Sequence, residues 1–306
     1  MMKSFINKII FWLKVMRAPF FTASIAPVIL GTAIAWSEFH VFDPLLFWLT
    51  LIGAVSAHAG ANIINDYYDH LSGNDEANRN YNTFSGGSRM IQTGRLSPVM
   101  MLTASLIAFS LAIAIGLFLN WAAEGNVILW IGIIGILIGF FYSALPIGLS
   151  YRGIGETGIA LAFGPLIVFG AWFVQTDRFS WLPILASVPV GIWVGLIIFI
   201  NEFQDFDADS QTGKKTLVVI FHDKRKAIRF YQVFLVGSFI WIFGWILKGV
   251  FPVWTSFVFL LIPVVFWNIA VSSKKYDTIQ ELLPVNAATI GIHFLGTIIL
   301  SLGFIL

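Results

Sequence analysis

Long apolar stretches divided by short polar breaks set the pattern of the chain. A helix that crosses a bilayer needs about 20 mostly apolar residues. Nine stretches meet that need, at 19–37, 45–64, 98–119, 126–146, 154–175, 181–201, 229–250, 252–272 and 286–306. Turn formers or charges break most of them apart: Glu38 to Asp43, Glu124-Gly125-Asn126, Asp177-Arg178, Lys248 and Pro252. The pattern predicts an all-α bundle of nine transmembrane helices, forming one integral-membrane domain over residues 1–306. Glycines inside the stretches, among them Gly53, Gly132, Gly135, Gly164 and Gly191, suit close helix packing in lipid. Residues 1–16 read differently. Lys3, Lys8 and Lys14 alternate with Ile6, Ile9, Ile10, Trp12 and Leu13. That is the pattern of an amphipathic helix lying on a membrane surface and feeding the first span, rather than of a cleaved signal.

Composition agrees. A mean hydropathy of +0.85 with 11% charged residues excludes a soluble domain built around a large core. No nucleic-acid partner is expected, and the lipid bilayer is the solvent. With no cysteine, disulfides and thiolate metal sites are excluded. Alternating the nine spans from the N-terminus places 16 of the 18 basic residues on one side and leaves Arg178 and Lys248 on the other. The positive-inside rule makes the first side cytoplasmic and puts Leu306 outside. Acidic residues do not set topology, yet 12 of the 16 fall on the cytoplasmic side too. A polar site facing the cytoplasm is the simplest cause. The long segments at 65–97 and 202–228 are on that side, and segments of such length are usually functional. They are expected to form an ordered cap. A prokaryotic plasma membrane is the expected location.

Two polar runs stand out because each follows directly on an apolar stretch. The first is Asn62-Ile63-Ile64-Asn65-Asp66-Tyr67-Tyr68-Asp69, continuing to Gly73 and Asp75. The second is Asn201-Glu202-Phe203-Gln204-Asp205-Phe206-Asp207-Ala208-Asp209, closing on Gly213. Residues four apart share a helix face, which groups Asn62 with Asp66, Asn65 with Asp69, and Asp205 with Asp209. The two runs match as a faint internal repeat, by duplication or by convergence on one task. Ionisable groups at a membrane are a functional hypothesis by default. Gathered at one cavity, these aspartates would stay ionised only with countercharge nearby. Mg²⁺ supplies it, takes oxygen ligands and bridges carboxylates to phosphates. The expected metal ligands are Asn65, Asp69, Asp75, Asp205 and Asp209, and the expected catalytic residues are Asp66, Asp69, Asp205 and Asp209. A single such aspartate would more simply be a solvated loop residue. Two matching clusters at matching helix ends argue against that.

Cations on the same side complete the constellation. Arg17, Arg89 in Gly86-Gly87-Ser88-Arg89, Arg152 in Tyr151-Arg152-Gly153, and Lys214 after Gly213 are expected to hold a diphosphate. Topology alone also places lysine and arginine there. Backbone N–H groups of the Gly86-Gly87-Ser88 turn suit phosphate oxygens. Asn62, Asn65, Tyr142 and Asn201 are expected as further substrate contacts. Phe occurs 30 times and Trp 12 times, enough for an aromatic-walled cavity around an isoprenoid tail.

At these residues the chain resembles the UbiA superfamily of intramembrane prenyltransferases. Asn65-Asp66-Tyr67-Tyr68-Asp69 looks like that family's first acidic motif, and Asp205 to Asp209 like its second. Within the superfamily it looks most like the 1,4-dihydroxy-2-naphthoate polyprenyltransferases of menaquinone synthesis, through Gly73 and Asp75, Gly86-Gly87-Ser88-Arg89, Tyr151-Arg152-Gly153-Ile154-Gly155-Glu156 and Gly213-Lys214-Lys215-Thr216-Leu217. The resemblance implies Mg²⁺-dependent transfer of a prenyl group from a polyprenyl diphosphate to an aromatic acceptor, with loss of the ring carboxylate as CO₂ in the naphthoate group. One departure bears on the acceptor: that group often has Asn-Asn-x-Arg-Asp where this chain has Asn201-Glu202-Phe203-Gln204-Asp205. A benzoquinone precursor, homogentisate, haem or a glycerol-phosphate lipid is the alternative acceptor. The competing non-enzyme reading, a cation-dependent transporter, would place its acids in mid-membrane rather than at helix ends.

Overall fold

The computed structural model describes residues 2–306, and side-chain surroundings from residue 6 onward. Among the described residues every regular element is helical. Helix α1 (Met2–Val15) leaves Ile6, Ile9, Ile10, Trp12 and Leu13 exposed, an unpaired apolar surface. Eight helices are long and apolar enough to cross a membrane: α2 (Ala18–Phe39), α3 (Pro44–Leu71), α5 (Pro98–Ala122), α7 (Gly155–Thr176), α8 (Leu182–Thr212), α10 (Lys224–Leu247), α11 (Val253–Lys275) and α12 (Ile279–Ile305). Between them lie the short helices α4 (Asn74–Ala77) and α9 (Leu217–Phe221). The ninth expected span, 126–146, is occupied by α6 (Val127–Phe141), an apolar helix of only 15 residues. At ~1.5 Å per residue it falls short of the ~30 Å bilayer core. Pro146 accounts for part of the shortfall, because the residue before a proline is pushed out of the helical region.

Two helices run longer than their apolar stretches. α3 has 28 residues and α8 has 31, so both run past the expected span ends at 64 and 201, and the acidic runs form their last turns. Backbone hydrogen bonding carries a helix onward wherever its polar side chains find partners, and here they do. The start of α3 is set by Pro44 in the first turn and by Asp43, whose side chain accepts from Leu46 N at 3.0 Å.

The core gathers around α2, α7 and α8, and α10 to α12 extend it, with Trp172, Trp193, Phe199 and Tyr231 fully enclosed. Several of its polar atoms are paired: Trp193 Nε1 donates to Ser238 at 2.7 Å, and Tyr231 OH meets Asn268 at 3.0 Å. α7 and α8 cross where Gly164 meets Gly191; a Cβ on Gly164 would lie 2.7 Å from Gly191 Cα. By contrast α3 and α5 expose most of their apolar surface, as lipid-facing helices do. Within α7 the ladder widens to a π turn at Ala162–Leu166, where Pro165 has no N–H to donate.

Candidate active site

The ends of α3 and α8 are brought together by two reversals of the chain. Gly73 at φ 73° and Gly213 at φ 76° take the left-handed backbone that glycine tolerates best. Beyond Gly73 the chain starts α4, which carries Asn74 and Asp75. Beyond Gly213, Lys214 N donates to Asp209 O at 2.8 Å, and the Lys214 side chain returns toward α3.

Between these turns lies a cavity of about 140 Å³. α3 contributes Asn62, Asn65 and Asp69 to its wall, α4 contributes Asp75, and α8 contributes Asn201, Asp205 and Asp209. Arg17, Tyr142 and Lys214 line it as well. Of the expected catalytic and binding residues, Asp66, Arg89 and Arg152 are not on the wall. Asp66 is buried behind Gly87, where a Cβ would come within 2.8 Å of Asp66 Oδ1. Arg89 stands beside Asp75, with Nη1 3.9 Å from its Oδ1, and lies over the Tyr81 ring at 4.5 Å. Arg152 is exposed and turned elsewhere: it donates to Ile147 O at 2.6 Å and Pro146 O at 2.9 Å. Its direction was not readable from the sequence. Asp207 is exposed and takes no part in the cluster.

Each wall carboxylate has its own partner. Lys214 Nζ lies 3.0 Å and 3.1 Å from the two oxygens of Asp69, and Asn65 Nδ2 donates to the same carboxylate at 3.0 Å. Asn74 Nδ2 donates to Asp209 Oδ1 at 2.9 Å, and Asn78 Nδ2 to Asp205 Oδ1 at 2.6 Å. Ser85 also donates to Asp205. Ser88 N donates to Asp66 Oδ2 at 2.9 Å, while Asp66 Oδ1 is buried without a partner. Burial is the main force on Asp75, helped by the neighbouring Asp69 and Asp66, and its pKa is pushed up to about 8 against the pull of Arg89 and Lys214. Burial opposes the charge on Lys214, but Asp69 and Asp209 outweigh it and hold its pKa well above the usual lysine range.

Asn74, Asn78 and Ser85 were not singled out in the sequence. They reach from the 72–97 segment across to α8 and bind the second cluster. The available signal was the density of asparagine at 74, 78, 80 and 82, with the first pair at helical spacing.

Among the described residues no three carboxylates or histidines stand close enough to hold one ion between them. The donor set still suits a hard divalent cation. It is made of oxygen, Asp69, Asp205 and Asp209 approach one cavity from two helices, and the unpartnered Asp66 Oδ1 is buried behind Gly87 beside it.

A second, larger cleft of about 410 Å³ opens between α3, α5, α6 and α7. It meets the polar cavity at His58, Ala61, Ile159 and Phe163, which line both. Its walls are mostly Ile, Leu, Ala and Gly, with Phe163 as its one phenylalanine. The aromatic-walled tail cavity expected from composition is therefore not what is found. Most large rings are spent on the helix core and the outer surface, while Phe20, Phe84, Tyr142 and Phe163 stand at the polar cavity.

Known proteins share this architecture. The profile described as the UbiA prenyltransferase family matches residues 24–290. The 1,4-dihydroxy-2-naphthoate octaprenyltransferase of Bacillus subtilis is 31% identical over 242 residues, 79% of this chain and 75% of that one. The Escherichia coli enzyme of the same name is 26% identical over 300 residues, 96% of this chain and 95% of its own. A UbiA homolog from Archaeoglobus fulgidus, solved bound to DMAPP and Mg²⁺, superposes with a TM-score of 0.66 at 15% identity, over 94% of this chain and 98% of that one.

Proposed function

The chain belongs to the UbiA prenyltransferase family, and from that premise we propose that it transfers a polyprenyl group from its diphosphate to 1,4-dihydroxy-2-naphthoate in menaquinone synthesis. The observation that carries this reading is the meeting of Asp69, Asp205, Asp209 and Lys214 at one polar cavity that opens into an apolar cleft. The acceptor rests on the Bacillus subtilis and Escherichia coli relatives named for it. The metal rests on the oxygen donor set and on the Archaeoglobus fulgidus homolog solved with Mg²⁺.

Asn65, Asp69, Asp75, Asp205 and Asp209 would hold Mg²⁺, with Asp66 behind them. When bound, the ion supplies positive charge that bridges carboxylates to a diphosphate and stabilises it as a leaving group. The chain's own residues do the rest. Lys214 and Arg17 face the cavity as cations for the diphosphate oxygens. The prenyl tail runs past Phe163 into the cleft, which fixes the C1 end among the polar groups. Faces of Phe20, Phe84 and Tyr142 suit a developing allylic cation. The segment 72–97, pinned to α8 through Asn74 and Asn78, covers the cavity and keeps water from the cation. Arg89 orders Asp75 from behind.

The whole chain acts as one unit in the plasma membrane, with α6 as the ninth span, the cavity toward the cytoplasm, and α1 on the membrane surface. The test is incubation of the purified protein with geranylgeranyl diphosphate and a panel of hydroxylated aromatic acids, with and without Mg²⁺. Prenylated naphthoate and diphosphate release that both require Mg²⁺ are expected. Release without any prenylated ring, or transfer to a different ring only, would overturn the acceptor assignment.

A further inference from the structure

His58 stands at the neck where the polar cavity opens into the apolar cleft, and it lines both. It lies on the face of α3 that also carries Asn62, Asn65 and Asp69. At ~1.5 Å per residue it sits about 16 Å down the helix from Asp69. Two phenylalanines meet its ring edge to face, with centroids 5.4 Å away for Phe21 and 4.8 Å for Phe163. Its Nδ1 meets the hydroxyl of Ser24, a fully buried residue of α2, at 2.8 Å. The other nitrogen, Nε2, has no hydrogen-bond partner among the described residues. Both ring nitrogens of His293 are sealed in the core, whereas Nε2 of His58 is not sealed. Thr50 is the only other side chain on the cleft wall with a polar atom, and it donates that hydroxyl to Leu46 O at 2.8 Å.

A lone imidazole in an apolar neck is no ion site, and among the described residues no group of three ligating side chains forms there. With a diphosphate held at the Asp69 end, the neck receives what adjoins its carbon end. Two bodies answer to that, the first isoprene units and the acceptor ring. Isoprene offers Nε2 nothing, and a nitrogen left unpaired under an apolar occupant costs free energy. A ring hydroxyl pairs with it in either tautomer, because a hydroxyl both donates and accepts. The wall at this end also suits a flat apolar body. Phe163 packs into one apolar cluster with Ala23, Ile159 and Val194, and all four line the cavity.

We propose that His58, aimed by Ser24, hydrogen-bonds one hydroxyl of the aromatic acceptor through Nε2 and so sets which edge of the ring meets the prenyl carbon. The proposal rests on the prenyl-transfer reading given above. His58 is the contact residue, and Ser24 is a positioning residue. The bond holds the acceptor beside the tail where the tail passes Phe163 into the cleft.

The experiment measures KM for 1,4-dihydroxy-2-naphthoate at saturating geranylgeranyl diphosphate, in the wild type, H58F, H58Q and S24A. Alongside it, 1-hydroxy-2-naphthoate and 4-hydroxy-2-naphthoate, which each lack one hydroxyl, are read as competitive inhibitors. In H58F, KM for the parent should rise by about threefold to tenfold, the fold-change of one neutral hydrogen bond. KM for geranylgeranyl diphosphate should change little. One of the two inhibitors should bind the wild type and H58F alike, because the bond it lacks is the bond removed, and the other should weaken as the parent does. H58Q carries an amide at about the reach of Nε2 and should recover part of the loss. S24A should give a smaller rise alone and none in the H58F background. Where H58F fails to fold, H58L takes its place. An unchanged KM for the parent would overturn the proposal, as would weakening shared by the parent and both inhibitors. A matching rise in KM for geranylgeranyl diphosphate would also overturn it and give the neck to the tail. A wild type that prenylates no ring defeats the functional reading itself, an outcome distinct from transfer that ignores His58.

Discussion

Lys214 Nζ sits 3.0 Å and 3.1 Å from the two oxygens of Asp69 and so ties the turn after α8 to the last turns of α3. Both partners are buried, and removing one member of such a pair strands the other's charge, at a cost of about 3–5 kcal/mol. Lys214→Ala should therefore lower thermal stability of the metal-free protein and weaken prenyl diphosphate binding on the order of tenfold to a hundredfold. Arg89→Ala, which acts only through Asp75, should weaken it less. Binding titrations with a non-hydrolysable diphosphate analogue read both, and equal losses would contradict the geometry.

Asp69→Asn and Asp205→Asn each keep size and polarity while removing one charge from a shared cavity. Either change alone should abolish most activity. The double variant should be little worse than either, as for groups that act as a unit. Rates measured at several Mg²⁺ concentrations check this, and losses that multiply would show that the two helix ends serve separate purposes.

Asp75 links metal to pH. Its pKa of about 8 in the metal-free protein means that the carboxyl is largely protonated at neutral pH. Metal must displace that proton, so apparent Mg²⁺ affinity should rise by up to about tenfold per pH unit below 8 and level off above it. Calorimetry in buffers of different ionisation enthalpy should show proton release at pH 7. For stability the sign is opposite. The unfolded chain releases this proton near the ordinary aspartate value of 3.8, before the folded one does. Stability of the metal-free protein should thus be full below that value and fall as pH rises toward 8.

Gly135 lines the apolar cleft, and a Cβ there would meet nothing within 4 Å. Gly135→Phe should fill the cleft without disturbing the fold. Transfer from dimethylallyl diphosphate should persist, while transfer from geranylgeranyl diphosphate falls by about tenfold or more. Product analysis with the two donors in competition decides it.

Whether α6 spans decides on which side the chain ends lie. Counted as a span, it separates the termini; left out, it puts them together. A reporter fused after Leu306 should mark the exterior and one inserted near Lys224 the cytoplasm. A reversal of both, with Leu306 in the cytoplasm and Lys224 outside, would remove α6 from the set of spans.

The acidic runs were legible because helical spacing after an apolar stretch is a local property. Asn65 with Asp69 and Asp205 with Asp209 needed no tertiary information to be paired. What crosses between helices was less legible. Asn74 and Asn78 matter because Gly73 turns α4 toward α8, and a turn's direction is not written in the residues it carries. Arg152 shows the same limit, since counting charges gives only an expected side of the membrane while side-chain direction follows from the local fold. The length of α6 was overestimated because hydropathy continues to Ile147 while the helix stops at Phe141. The aromatic content was counted correctly but could not be placed, because packing in the core and filling a tail cleft draw on the same residues.

The cleft between α3, α5, α6 and α7 has exposed residues such as Ile113, Leu117, Ile133 and Leu137 along its edge. It has walls but no floor. On the proposed reading, a donor seated there would be gauged at its diphosphate end alone, with surplus isoprene units trailing among the acyl chains. Such a geometry contains no ruler. On the function proposed above, the number of isoprene units in the product would be set by whichever synthase supplies the diphosphate, and one copy of this protein would serve a host whose quinone tails lengthen or shorten.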